Sequence, residues 1–136
     1  SIWWNQADMR YEKKMTYGMM AKNAVLKLGS GMETWLVEGY ATGLSVRAAL
    51  RSIGIPAAVV VAFSATNLVQ VADQIKGNRF VFADNDESKT GEKAAIETGL
   101  PWAMADEVGD DANDLHHKKG LFAVASKIMQ CRMNKA

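Results

Sequence analysis

Between residues 34 and 105 the chain alternates short apolar runs with stretches of helical spacing. Thr34-Trp35-Leu36-Val37 reads as a strand closed by Glu38-Gly39, and a helix is predicted from about Ala41 to Ser52. Val46, Ala49, Leu50 and Ile53 form its buried stripe, Arg47 and Arg51 its polar face, and Gly54 its stop. Pro56 to Phe63 is continuously apolar, the pattern of a strand covered on both faces. Ser64-Ala65-Thr66-Asn67 then offers a helix cap, and Leu68, Val71, Ala72 and Ile75 keep helical spacing until Gly77. The run Arg79 to Ala83 is a third strand, ending in Asp84-Asn85-Asp86. A helix is expected from about Glu92 to Thr98, halted by Gly99, and a fourth strand over Leu100 to Ala105, with Pro101 near its start where a missing donor is tolerated. The acidic loop Asp106 to Asp114, with an N-cap at Asn113 or Asp114, leads into one last helix. Leu121, Val124, Ala125 and Ile128 are its buried stripe, and Lys127 and Arg132 suit its C-terminal end. Repeated strand–helix alternation predicts an α/β fold with a parallel four-stranded sheet flanked by helices.

Residues 1–31 read differently. Ile2 to Asn5, Tyr11 to Tyr17 and Asn23 to Leu28 are short strand candidates, the last alternating apolar and polar, with Gly18, Gly29 and Gly31 as turns. A small antiparallel lead-in over 1–31 is therefore expected ahead of a main domain at 32–136. Trp3, Trp4, Met19 and Met20 are read as core or interdomain packing rather than as stacking platforms for bases.

Composition narrows the class more than the function. A chain of 136 residues, 49% hydrophobic and 23% charged, suits a folded domain with a real core. No apolar run is long enough to span a membrane and no signal-peptide pattern opens the chain, so no membrane partner is expected. The one cysteine, Cys131, excludes an internal disulfide framework and fits a reducing compartment, so the expected location is cytoplasmic. The start at Ser1 without methionine leads us to expect a piece of a longer chain. Net charge is +1, without the basic surplus of a protein that grips nucleic acid unaided.

The acids change the picture. Glu38 ends the first strand, Asp84 and Asp86 the third, and Asp106, Asp110, Asp111 and Asp114 crowd the loop after the fourth. In a parallel sheet these ends share one edge, where ligands bind. Each has a bland reading alone: a tight turn for Glu38-Gly39, an Asx turn for Asp84-Asn85-Asp86, a solvated loop for Asp106 to Asp114. Together, Glu38, Asp84, Asp86 and Asp111 form a candidate site for one or two divalent ions, of the kind that serves phosphoryl and nucleotidyl transfer.

The segments Val37-Glu38-Gly39-Tyr40-Ala41-Thr42-Gly43, Phe82-Ala83-Asp84-Asn85-Asp86 and Gly109-Asp110-Asp111-Ala112-Asn113-Asp114-Leu115, in that order, resemble the Toprim domain. The likeness is greatest to the Toprim domains of phage- and plasmid-type DNA primases, often fused to helicases, and covers Thr34 to the C-terminus. The resemblance implies a Toprim-like (Rossmann-like) fold and synthesis of RNA primers on a single-stranded DNA template from nucleoside triphosphates. It implies Glu38 as general base, Asp84 and Asp86 as catalytic ligands of magnesium or manganese, and Asp111 and Asp114 as further metal ligands. Two positions depart from the bacterial replicative pattern: Thr42 stands where an acid is common, and Asn113 follows Asp111. One cysteine cannot build a zinc module and no Walker-type loop is present, so zinc-binding and helicase functions would belong to other domains.

Lys89 and Lys93, just past the Asp-Asn-Asp turn, are candidates for contacting triphosphate, and Arg47 for template phosphate; a solvated loop and a plain polar helix face are their bland counterparts. His116 and His117 are not read as a metal pair, because adjacent helical residues point apart. Rival readings are a Toprim-containing topoisomerase or nuclease fragment, a haloacid-dehalogenase-like phosphatase, and a non-catalytic nucleic-acid-binding module with unused acids. The phosphatase places its Asp-x-Asp on the first strand, whereas here the motif follows the third.

Overall fold

The computed structural model describes residues 25–134. The strand candidates Ile2 to Asn5 and Tyr11 to Tyr17, and Trp3, Trp4, Met19 and Met20, lie outside the described residues. The elements are β1 (Leu26–Leu28), β2 (Glu33–Val37), α1 (Tyr40–Ser52), β3 (Ala57–Val61), α2 (Ala65–Ala72), β4 (Asn78–Ala83), α3 (Thr90–Thr98), β5 (Trp102–Met104), α4 (Ala112–Lys119) and α5 (Leu121–Met133).

The five strands form one sheet in the order β1-β3-β2-β4-β5. β3, β2, β4 and β5 are mutually parallel, as expected, but β1 pairs antiparallel with β3, so the sheet is mixed and five-stranded rather than purely parallel and four-stranded. β1 belongs to the stretch expected to form a separate lead-in. Its alternating apolar residues Leu26 and Leu28 instead extend the main sheet, where both are buried. A second correction concerns the C-terminus. The single last helix is two helices, parted at Gly120, whose φ of 91° carries the backbone out of the α region.

Two apolar layers cover the sheet. On one face α1, α4 and α5 bury Val46, Leu50, Leu115, Val124 and Ile128 against Trp35, Val59, Phe80 and Phe82. On the other, α2 and α3 bury Leu68, Val71 and Ala95 against Leu36, Val60 and Val81. Burial on both faces explains why β3 and the end of β4 read as unbroken apolar runs. Trp35 is fully buried and stacks on Phe80 across the strand pair at 4.9 Å between ring centroids. At the strand-start edge Glu33 accepts hydrogen bonds from Trp35 Nε1 (2.7 Å) and from Arg132 Nε (3.1 Å to each oxygen), tying α5 to β2. No helix among the described residues is long and apolar enough to cross a membrane.

The winding order defines a working point. From β2 the chain moves outward to β3, then crosses back over β2 to β4 and continues outward to β5. Direction therefore reverses between β2 and β4, the place where open α/β sheets leave a crevice beyond their strand ends.

Candidate functional site at the strand ends

Glu38 follows β2 and Asp84 follows β4, so the two acids flank the reversal point directly. Both anchoring segments are held by backbone bonds at this edge. Ala62 N–H donates to Val37 O and Phe63 N–H to Glu38 O (2.9 and 2.8 Å), and Lys89 N–H donates to Asp86 O (3.0 Å). Among the described residues, the two non-glycine residues in the left-handed region are Phe63 (φ 70°) and Lys89 (φ 62°). Phe63 follows β3 and is bonded across to Glu38, and Lys89 follows the Asp84–Asp86 turn; in both places surrounding structure over-determines a conformation costing of order 1 kcal/mol or more. Gly91, in the first turn of α3, packs on Asp84 so closely that a Cβ there would stand 2.5 Å from Asp84 O. Gly91→Ala is therefore expected to displace the end of β4 and destabilise the fold by about 1–3 kcal/mol, read as a lowered urea midpoint.

The electrostatics follow from crowding. Burial pushes the Asp84 carboxyl up to about 6, and the neighbouring charges of Glu38, Asp111 and Asp86 push it the same way. Glu38 is raised above the usual carboxylate range, first by burial and then by the charge of Asp86. Asp111 is raised by burial, against a backbone hydrogen bond from Asp114 that lowers it. Glu38, Asp86 and Asp111 are thus all within electrostatic reach of Asp84, and Asp86 is within reach of Glu38. A cavity of about 180 Å³ is lined by Asp84, Asp86 and Asp111, with Asn85, Gly109 and Asp110.

Thr42, one turn into α1, donates its hydroxyl to Asp84 Oδ1 (3.1 Å) and works against the rise. Its sequence signal is its spacing, four residues after Glu38 on the helix that the strand end starts. Thr42→Val is expected to raise the Asp84 pKa by about one unit, the scale of a hydrogen bond to a charged group. Thr42→Ser should return it, as read by carboxyl carbon chemical shifts against pH.

The acidic loop divides its labour in a way the spacing did not reveal. Asp111, rather than Asn113 or Asp114, caps α4: its Oδ1 accepts from Asp114 N–H (2.8 Å), while Asp114 Oδ2 accepts from Asp111 N–H (3.0 Å). Asp114 thus faces its own helix start. Asp110 turns to Lys118, which donates to both of its oxygens (2.9 and 3.1 Å), and exposed Asp106 pairs with Lys127. Ser45 Oγ, buried on α1, lies 3.1 Å from His116 Nδ1 and donates to Asn113 Oδ1 (3.4 Å), binding α1 to α4 below the acids.

The basic candidates scatter. Lys89 is the exposed residue before α3. Lys93, also exposed, lines a groove of about 400 Å³ between α2 and α3, with Thr66, Gln70 and Glu97. Arg47 is not gathered with the acids. Its Nε passes 3.4 Å from where a Cβ on Gly29 would stand, beside the start of β3 at the opposite edge.

The donor set suits a hard divalent cation: carboxylate oxygens only, crowded enough that Asp84 is raised by its neighbours, with Asp86 Oδ1 buried and without a hydrogen-bond partner. As the side chains stand, no three His, Cys, Asp or Glu among the described residues are gathered closely enough to enclose a metal ion. Comparison with known proteins leaves this geometry to speak alone: no family model matches the chain, and no curated protein or solved structure matches it.

Proposed function

We propose that this domain is the catalytic part of a Toprim-type DNA primase, a nucleotidyltransferase that joins nucleotides into RNA primers on single-stranded DNA. The observation that carries the reading is the placement of Glu38 and the Asp84–Asp86 pair on either side of the β2/β4 reversal point, with Asp84 raised to about 6 by burial and by its acidic neighbours. Carboxylates crowded in this way are suited to share a cation, and a crevice at a reversal point is where a nucleotide enters such a sheet.

Asp84 and Asp86 would hold magnesium or manganese, with Asp111 as the next candidate ligand. When bound, the ions would neutralise triphosphate charge and make the attacking 3′-hydroxyl more acidic. Glu38, made more basic by its buried setting, would take the proton from that hydroxyl as it attacks the α-phosphate and pyrophosphate leaves. Thr42 holds one oxygen of Asp84 and so fixes the direction of its carboxylate. Lys93 borders the groove next to α3, suited to phosphate charge at the rim.

Manganese titration followed by paramagnetic broadening of amide signals tests the reading. Broadening centred on Glu38, Asp84, Asp86 and Asp111, absent in Asp84→Asn/Asp86→Asn, is the expected result. Broadening elsewhere, or unchanged in the double variant, would leave a binding module in place of a nucleotidyltransferase.

A further inference from the structure

β4 and β5 run in parallel register through Phe82↔Ala103 and Ala83↔Met104, and then the ladder ends. At the point of divergence stands Asn85, 7% exposed in spite of carboxylates on both sides. Its side-chain amide Nδ2 donates to Ala105 O (2.8 Å), the first carbonyl after β5, and so continues the pairing with a side chain where the main chain has left it. The main chain meanwhile turns to the acidic loop. Asn85 N–H donates to Asp110 O (3.0 Å), and Asn85 O accepts from Gly109 N–H (2.5 Å). One buried residue thus holds three segments: the Asp84–Asp86 turn, the end of β5 and the loop that delivers Asp111 to α4.

We propose that Asn85 is a positioning residue for the acidic centre, fixing the gap between the Asp84–Asp86 turn and Asp111. This rests on the metal-dependent reading above. Three observations carry it. The cavity between turn and loop is lined by Asn85 itself, together with Asp84, Asp86 and Asp111. The loop side of that gap is fixed by main-chain bonds to Asn85, because the Asp110 carboxylate is engaged by Lys118. Asp86 Oδ1, on the residue next to Asn85, is buried in this region with no hydrogen-bond partner. Without the amide, Ala105 O loses its buried donor and the splay of β4 from β5 loses its tie. The carboxylates would then be present but held too loosely to act on one ion.

The test uses Mn²⁺ alone as the probe on wild type, Asn85→Ala and Val71→Ala, the last a core truncation on α2 that loosens the fold away from the acids. Mn²⁺ affinity from paramagnetic broadening is read beside the melting temperature and the hydrogen exchange of the Gly109 and Asp110 amides. The expected result is at least tenfold weaker Mn²⁺ binding and faster exchange at Gly109 and Asp110 in Asn85→Ala, with Val71→Ala binding Mn²⁺ as wild type does. Affinity within twofold of wild type in Asn85→Ala would overturn the role, as would an equal loss in Val71→Ala. If wild type itself binds no Mn²⁺, the metal reading fails. The positional claim is then judged on exchange: unchanged protection at Gly109 and Asp110 in Asn85→Ala overturns it. Should Asn85→Ala not fold, the isosteric Asn85→Asp, which sets an acceptor against Ala105 O, is read by the same criteria.

Discussion

Asp84→Asn is expected to make the protein more stable at neutral pH while removing its affinity for manganese. The folded-state pKa of Asp84 is about 6 against an ordinary 3.8, so between these values the folded chain keeps a proton that the unfolded chain has lost. Stability therefore falls as pH rises from about 4 to above 6, and by pH 7.5 the whole cost of holding the ionised group is present, of order 3 kcal/mol for a two-unit shift. Glu38 and Asp111 are raised as well and act in the same direction. Asparagine keeps the shape and an acceptor for Thr42 but carries no charge. The variant should gain up to about 3 kcal/mol at pH 7.5, near 10 °C in melting temperature for a chain of this size. The two proteins should converge near pH 4. Manganese should raise the melting temperature of wild type and leave the variant unmoved. Thermal melts from pH 4 to 8, with and without manganese, decide it; a variant less stable than wild type at pH 7.5 would show that the acids are not in electrostatic conflict.

Arg132→Met should carry the largest loss of stability, at the opposite edge of the sheet. Glu33 is buried and its carboxylate is held by Arg132 and by Trp35 Nε1, which reaches the same group from within the core. Removing the guanidinium leaves a buried charge with one neutral donor, a loss of about 3 kcal/mol, at the lower end for broken buried pairs because Arg132 is partly exposed. Adding Glu33→Gln removes the charge and keeps an acceptor for Trp35, so the double variant should return to within about 1 kcal/mol of wild type. Urea unfolding of the two singles and the double checks this. A single-variant loss under about 0.5 kcal/mol would mean that water already screens the pair.

The parts of the fold that were legible are those whose signal is local. β2, β3 and β4 are apolar runs bounded by glycine, proline or acid, and Ser64 caps α2 as its sequence promises, accepting from Asn67 N–H. The acids at the strand ends were legible because a parallel sheet sends every strand end to one edge. β1 was not legible as part of the sheet: three alternating residues say that one face is buried but not against which partner, and its partner β3 lies some thirty residues on. The cap of α4 was misplaced because Asp110, Asp111, Asn113 and Asp114 are all competent cap residues, and only the reciprocal Asp111–Asp114 pairing selects one. Gly120 reads as an ordinary pause inside a helical pattern, and only its backbone angles reveal a break. Asn85 reads as a turn residue, and Glu33 and Arg132 are nearly a hundred positions apart with no pattern to join them.

β1 runs against its neighbours, and this decides where the chain enters the domain. Leu26 pairs with Val61 at the end of β3, while Leu28 pairs with Val59 further back, so Val25 stands at the edge that carries Glu38 and Asp84. A parallel β1 would have brought the chain in from the far edge, beside Glu33. The described chain thus begins on the working side of the sheet. A short flexible tether holds its cargo at an effective concentration of order millimolar around its anchor. A weak-binding module fused by such a linker directly at Val25 would therefore start beside the acidic crevice at about that concentration, without needing an interface of its own.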